Sequence, residues 1–454
     1  MSKHLITAIF VAALLGSCQP ASEKQSPLFR LLSSKSTGIT FANHLEETHE
    51  MNVIEYQDFY SGGGVSIGDI DNDGLADIFF TGNQVPARLY KNKGEMVFED
   101  ITSRAGLDHM GRGWYTGTTM IDLNNDGFLD IYISKSGMEA PDDRANLLYI
   151  NDGTGRFTEQ ARAFGLNHKG FAVNAAFFDY DRDGDLDMYL VNQGPVKITS
   201  GDATALRHTP HHEAGDVLYE QIEGKFVDVS AKAGLHSSVI GFAHGVSVGD
   251  INNDGWDDIF VSNDFFEYDY LYLNNQNKTF TESIKKSMPH ISYYSMGNDM
   301  ADYNNDGLTD IVVVDMIAEG NRRLYANLGG MNANKFQNHL SNGLHYQYMF
   351  NMLHLNYGKD NFGEVGTMAG ISRTDWSWAP LFADFDNDGW KDLYVTNGIR
   401  KDIRNMDWGD MYRQYLQMSG GKNIFSDAQW NMLLKAMPSE PVVNYMFEQG
   451  RPHL

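Results

Sequence analysis

Six times along this 454-residue chain the same nine positions recur: DIDNDGLAD from Asp69, DLNNDGFLD from Asp122, DYDRDGDLD from Asp179, DINNDGWDD from Asp250, DYNNDGLTD from Asp302 and DFDNDGWKD from Asp384. Positions 1, 3 and 5 supply carboxylate or amide oxygens at alternate residues, position 6 is always Gly, and position 9 is always Asp. Such a set suits a hard cation. Calcium takes about six to eight oxygens, at about 2.3–2.6 Å, from carboxylates, amides and backbone carbonyls. The tight reversal around an ion needs a backbone conformation that Gly adopts cheaply. Mg²⁺ fits less well, because it keeps several waters and rarely accepts an all-protein cage.

The predicted ligands follow directly. They are Asp69, Asp71, Asp73 and Asp77 with the carbonyl of Leu75; Asp122, Asn124, Asp126 and Asp130 with that of Phe128; and Asp179, Asp181, Asp183 and Asp187 with that of Asp185. The second half of the chain adds Asp250, Asn252, Asp254 and Asp258 with Trp256; Asp302, Asn304, Asp306 and Asp310 with Leu308; and Asp384, Asp386, Asp388 and Asp392 with Trp390. Position 7 varies freely, as expected where only the carbonyl is used. The loop resembles the start of an EF-hand but lacks the Glu at position 12 and sits between strands. For any one copy an Asp/Gly turn without metal is the plain alternative; six copies with the same filled and vacant positions weigh against it. About six structural Ca²⁺ are expected, and their +12 would take the formal net charge from −25 to −13.

The elements that must hold these loops repeat as well. Spacings between first aspartates are 53, 57, 71, 52 and 82 residues, the shortest close to one four-stranded propeller blade with its loops. Before each loop runs a strand of small and apolar residues, such as GGGVSIG, TGTTMI or HGVSVG. After it comes one rich in β-branched and aromatic residues, such as IFFTGN, MYLVNQ or IVVVDM. A third strand follows (RLYKN, LLYIN, VLYEQ, LYLNN, MLHLN), then a fourth opened by Phe98, Phe157, Phe226, Phe280 or Phe362. Phe29 to Ile39 matches only a fourth strand and residues 444–449 only a third. The expectation is therefore that the termini pair within one blade and close the ring. The fold class is an all-β propeller of four-stranded blades, six or seven in number, with short helical insertions.

At the N-terminus, Lys3 and His4 precede an apolar run from Leu5 to Leu15 that suits a signal-peptide core and is too short to span a bilayer. Leu15-Gly16-Ser17-Cys18 resembles a lipobox, which would make Cys18 the lipidated first residue of the mature chain; it is also the sole cysteine. The domains read as a signal peptide and lipobox over 1–18, a tether over 19–27 and a propeller over 28–454, with 399–443 a partly helical insertion. Export with a lipid anchor at the bacterial envelope, at the outer membrane, is the expected location, and the anchor the sole membrane attachment. With 60 acidic against 35 basic residues, nucleic acid is excluded as a partner, because its affinity rests on cationic side chains.

DxDxDGxxD loops between strands, with trailing LYxNxG and FxE/D segments, resemble FG-GAP or VCBS-type repeats, as in the integrin α-subunit propeller. TGITFAN, YSGGGVSIGDIDNDGLADIFFTGN, FFDYDRDGDLDMYLVNQG, SMGNDMADYNNDG and TDWSWAPLFADFDNDGWKDLYVTNGI resemble CRTAC-like (ASPIC/UnbV-associated) VCBS repeat lipoproteins of Bacteroidetes-type bacteria, over residues 28–450. That resemblance implies seven blades and a continuation past an NYMFEQG-like hairpin into a further calcium repeat and a C-terminal module. Six metal units occur here and the sequence stops at GRPHL, so a short version and a C-terminal truncation both stand open.

An aromatic lies eight or nine residues before each loop: Tyr60, Trp114, Phe171, Phe242, Tyr294 and Trp376. At about 3.3 Å per residue these fall far from the metals, on the face where the segments 194–216 (with His208, His211 and His212), 263–269, 317–350 and 399–443 also project. A glycan or a cell-surface protein bound on this calcium-distal face is the leading expectation, which makes the chain a binding or scaffold module. Inter-blade packing is the alternative for the aromatics, and a solvated loop for the histidines. The competing function is a polysaccharide lyase or sugar dehydratase on a calcium propeller, with His244, Arg400, Lys401 and Asp375 as candidates for acid–base chemistry and charge neutralisation. No GxSxG, HExxH, P-loop or dinucleotide fingerprint links them.

Overall fold

Small inner strands, apolar second strands and Phe-led outer strands assemble as their composition directs. In the computed structural model, which describes residues 28–111, 113–194, 205–265, 267–327, 332–420 and 425–450, six four-stranded antiparallel sheets follow one another along the chain. Cys18 and the tether lie outside the described residues.

Blade 1 runs Val65–Gly68, Asp77–Phe80, Arg88–Asn92, Phe98–Asp100; blade 2 Tyr115–Ile121, Asp130–Lys135, Leu147–Asn151, Phe157–Glu159; blade 3 Ala172–Phe178, Asp187–Asn192, Val217–Ile222, Lys225–Asp228. Blade 4 runs Ala243–Gly249, Asp258–Asn263, Tyr270–Asn274, Phe280–Glu282, and blade 5 Asn298–Ala301, Asp310–Val313, Met352–Asn356, Phe362–Glu364. Blade 6 pairs Asp375–Ala383 with Asp392–Asn397 and then Tyr445–Phe447, while Met316–Ile317 adds a short strand to the far end of Asp375–Ala383. The fold is thus an all-β six-bladed propeller.

Second strands are sandwiched between blades and read as continuous apolar runs; all six residues of Asp187–Asn192 and of Asp258–Asn263 are buried. Fully buried tyrosines and phenylalanines such as Tyr90, Tyr132, Tyr189 and Phe260 fill the wedges between sheets. Each such ring contributes a few kcal/mol at about 25 cal/mol per Å². Inner strands converge on the axis and need small residues. A Cβ on Gly117 would lie 2.5 Å from the Val173 carbonyl, and one on Gly297 would lie 2.5 Å from that of Trp378.

The expected pairing of the termini is not what the structure shows. Residues 28–33 form no strand, and Ser34–Thr37 is a short helix. Among the described residues nothing pairs with the free edge of Tyr445–Phe447. The sequence match was to the tail of a fourth strand, not to the strand itself. Gly38 packs on the Phe98 carbonyl of blade 1, as Gly106, Gly165 and Gly234 pack on those of Phe157, Phe226 and Phe280. The inner strands of blades 1 and 6 accordingly leave Val65 (54%), Ile67 (64%) and Leu381 (49%) exposed at their flanks.

The ends of the chain are joined instead on the loop-distal side. Met406–Met418 and Asp427–Ala436 are helices, as the apolar spacing of 399–443 predicts. Trp408 and Met437 pack with Val53, Phe59 and Trp114, so the C-terminal insertion is bolted to the N-terminal segment. Arg400 Nη1 donates to the Leu45 carbonyl, and Lys401 ion-pairs with Glu47.

Candidate functional site: metal loops and an opposite-face cavity

Each Asp loop is wound by its own carboxylates. In all six, the position-1 Asp accepts from the backbone N–H groups of positions 5 and 6, as Asp69 does from Asp73 (3.1 Å) and Gly74 (2.8 Å). The position-5 carboxylate accepts from the N–H of position 7, as Asp73 does from Leu75 at 3.0 Å. Position 6 takes φ between 84° and 100° in every copy, and in Gly74, Gly127, Gly184, Gly307 and Gly389 a Cβ would meet nothing. Backbone conformation, not space, therefore demands glycine there. Position 4 is also left-handed, at φ 57–61° (Asn72, Asn125, Arg182, Asn253, Asn305, Asn387). Sequence reasoning passed over this position, although Asn is the residue that tolerates αL best after Gly.

The position-9 Asp starts the second strand and is buried, at 0–1% exposure. One oxygen accepts from the N–H of position 2 and the other from a third-strand N–H: Asp130 takes Leu123 at 3.2 Å and Asn151 at 2.8 Å, and Asp187 takes Tyr180 and Gln221. Burial pushes Asp130 and Asp310 up to about 6, Asp258 to about 7 and Asp187 to about 8. A cation beside these groups would offset that desolvation.

Three loops bring carboxylate oxygens from positions 1, 3 and 9 within 4.8 Å of one another: Asp69–Asp71–Asp77, Asp179–Asp181–Asp187 and Asp384–Asp386–Asp392. These acidic groups could hold a metal ion. In the remaining loops Asn124, Asn252 and Asn304 stand at position 3, and their Oδ1 accepts from the position-5 N–H, as Asp386 Oδ1 does. The donor sets fit calcium in one further respect. Asp71 Oδ1 is buried without a hydrogen-bond partner, the condition in which an oxygen gains most from a cation.

On the opposite side, the ends of several second strands and the starts of first strands surround a cavity of about 510 Å³. Tyr56, Phe171, Phe242 and Phe265 supply rings; Met138, Val239 and Ile240 supply aliphatic wall; Asp58, Arg144 and Gln193 supply polar groups. Arg144 stacks 3.9 Å over Phe171, held by the carbonyls of Glu139, Lys169 and Gly170 and by Glu213. Burial pushes Asp58 up to about 6. Beneath, Gln193 Nε2 lies 3.1 Å from Nδ1 of His244, a ring that burial pushes down to about 4.

The six aromatics singled out from spacing do not form one surface. Phe171 and Phe242 line the cavity. Tyr60 donates to Glu47, and Trp114 is buried edge-on against Tyr56. Tyr294 lies under Arg404, and Trp376 is buried near the same guanidinium. Tyr56 and Asp58 come from the N-terminal segment, and no spacing signal pointed to them. Of the acid–base candidates only His244 lies near the cavity. Asp375 ion-pairs with Arg323, and Arg400 and Lys401 are committed to residues 45–47. His208 and His212 are exposed; His208 lies tilted against His236, and His212 stacks on His168.

The FG-GAP-like repeat family matches residues 64–133, 138–190, 250–313 and 319–395. Cartilage acidic protein 1 of Xenopus tropicalis is 23% identical over 347 residues, 74% of this chain and 48% of that protein; the Mus musculus protein is 25% identical over 349 residues, with the same coverage. The chain thus spans about half the length of the curated relatives it matches. A solved structure described as showing specific recognition of non-reducing terminal N-acetylglucosamine by an Agrocybe aegerita lectin is 16% identical, covering 77% of this chain and 78% of that one. Its TM-score of 0.41 carries no argument. With repeats over more than half its length folded as successive four-stranded blades, the chain belongs to the FG-GAP-like repeat family, as a propeller similar to cartilage acidic protein 1.

Proposed function

We propose that this chain is a calcium-stabilised binding or scaffold propeller that takes a glycan or a protein partner on the face opposite its metal loops. The observation that carries the reading is the cavity of about 510 Å³ ringed by Tyr56, Phe171, Phe242 and Phe265, with Asp58, Arg144 and Gln193 as the polar groups among them. Aromatic faces offer stacking area at low entropic cost, and a few fixed polar groups give orientation. Calcium in the six loops would keep the blades in register beneath that surface. Export and lipid anchoring through Cys18 belong to the same reading, as does presentation at the bacterial envelope.

The test pairs a glycan array and a surface-protein panel with the purified protein and its Phe242→Ala variant. Saturable binding by the native chain, weakened at least tenfold in the variant, is the expected result. Turnover of acidic polysaccharides, followed by unsaturated-product absorbance, would replace binding with catalysis. Calcium is tested separately by melting in Ca²⁺ and in EDTA. Ions bound only by the native state add about 2.7 kcal/mol each at one hundred times Kd, so the melt falls by about 10 °C or more on chelation; an unchanged melt removes calcium from the reading.

A further inference from the structure

Two loops differ from the other four in having a lysine inside the cage. Lys91, on the third strand of blade 1, ion-pairs with Asp71 and sits 3.1 Å from Asp73 Oδ2. Lys278, in the turn that follows the third strand of blade 4, crosses to blade 3, where it ion-pairs with Asp181 and lies 2.7 Å from Glu220 Oε1. Among the described residues no Lys, Arg or His forms an ion pair with the loop carboxylates of blades 2, 4, 5 or 6.

The placement follows charge. Blades 1, 3 and 6 carry Asp at position 3, whereas blades 2, 4 and 5 carry Asn. The residue before the third-strand partner of the position-9 Asp divides the same way: Lys91, Glu220 and Glu448 in the first group, Ile150, Leu273 and Leu355 in the second. Lysine therefore appears only where four loop carboxylates converge, and blade 6 keeps four without one.

We propose that Lys91 and Lys278 are built-in exchangeable counter-cations, which hold the cages of blades 1 and 3 together when calcium is scarce and must leave the position-3 carboxylate before calcium can use it. The six loops then fill in a graded order, with blade 6 ahead of blades 1 and 3. In Asp71 the Oδ2 meets Lys91, while the Oδ1 is buried with no hydrogen-bond partner, so the same carboxylate serves the ammonium and leaves an oxygen uncompensated. A long flexible ammonium suits such a role, because it can swing into water when displaced. This proposal rests on the reading of the loops as calcium sites.

The experiment is calcium titration calorimetry of the chelated full chain, with melts in EDTA, for the native protein and for Lys91→Met, Lys278→Met and the loop-remote control Lys435→Met. Removing a cation about 3 Å from a carboxylate should tighten one class of site about tenfold in each loop variant. The same variants should melt lower than native in EDTA, while Lys435→Met changes neither. Affinity within twofold of native in both loop variants, or an EDTA melt unchanged by them, overturns the proposal and leaves calcium binding itself standing. A native chain that takes up no calcium overturns both.

Discussion

On the loop side of the propeller one joint is used again and again; on the far side the long insertions join blades in different ways. At the loops, Asn72, Asn253 and Asn305 each donate to a carbonyl in the next blade's loop (Gly127, Gly307 and Gly389, at 2.9–3.0 Å). Asn151, Asn274 and Asn356 reach back to the Ile70, Tyr180 and Ile251 carbonyls, all at 2.9 Å. Far from the loops, blade 3 meets blade 4 partly through the buried Arg207–Glu267 pair, and blade 5 meets blade 6 through Arg323 with Asp375 and Asp402. The two chain ends meet there through Trp408. The repeated side is a scaffold in which several blades solve the same problem with the same asparagines. The irregular side is where insertions were free to differ, and it holds the cavity.

Four substitutions put that contrast at risk. Trp408→Ala should have the largest effect. Its ring stacks on Tyr412 at 5.3 Å, its Nε1 donates to the Leu433 carbonyl, and it packs in the cluster that joins the chain ends. A loss of about 3–4 kcal/mol in urea unfolding is expected, with early proteolysis in residues 45–60. A loss below about 1 kcal/mol would make the irregular joint dispensable.

Next come the latches. Asn274→Leu strips a buried side chain whose Nδ2 serves Tyr180 of blade 3 as well as Asp257 of its own blade, and should cost about 2 kcal/mol. Asn92→Leu, in the blade whose Asn reaches only its own Ala76, should cost about half as much. Equal costs would show that the cross-blade bond adds nothing.

The last effect is a gain that depends on pH. Asp216, fully buried, accepts from the Asn192 N–H and the Tyr189 hydroxyl, and burial raises it from 3.8 to about 7. The folded chain then holds a proton that the unfolded chain has lost, so stability falls as pH rises from about 4 to about 7. In blade 2 the same place is filled by Asn146, which accepts from the Lys135 N–H and donates to the Tyr132 hydroxyl. Asp216→Asn should copy that arrangement. About 1–2 kcal/mol should be gained at pH 8 and none at pH 4, read as melting temperature against pH in saturating calcium. A gain that does not vary with pH would put its origin elsewhere.

The six loops were legible residue by residue as turns, because their pattern is a local property: alternate carboxylates or amides, one left-handed Gly and a strand-starting Asp act within nine residues. The strands on either side were legible for the same reason, through composition and the Phe that opens each outer strand. What misled was the N-terminal match. Residues 29–39 carry the apolar rhythm of a fourth strand and the Gly that follows it, but a strand also needs a partner edge. Gly38 found its place on Phe98 without one. The cavity was half visible, through Phe171 and Phe242, while Tyr56 and Asp58 came from a segment more than a hundred residues away in sequence.

Sequence alone determined the number of loops, the positions of their Asp, Asn and Gly residues, the order of strands and the division into acid-rich and Asn-bearing loops, since each depends on neighbours within one blade. Tertiary structure alone decided that the N-terminal segment and the C-terminal insertion meet through Trp408 rather than a shared sheet, that Lys278 enters the acidic loop of another blade, and that rings from four separate segments line one cavity. Those outcomes depend on which surfaces are brought together after the blades form, and side-chain contacts made across long separations leave no periodic trace.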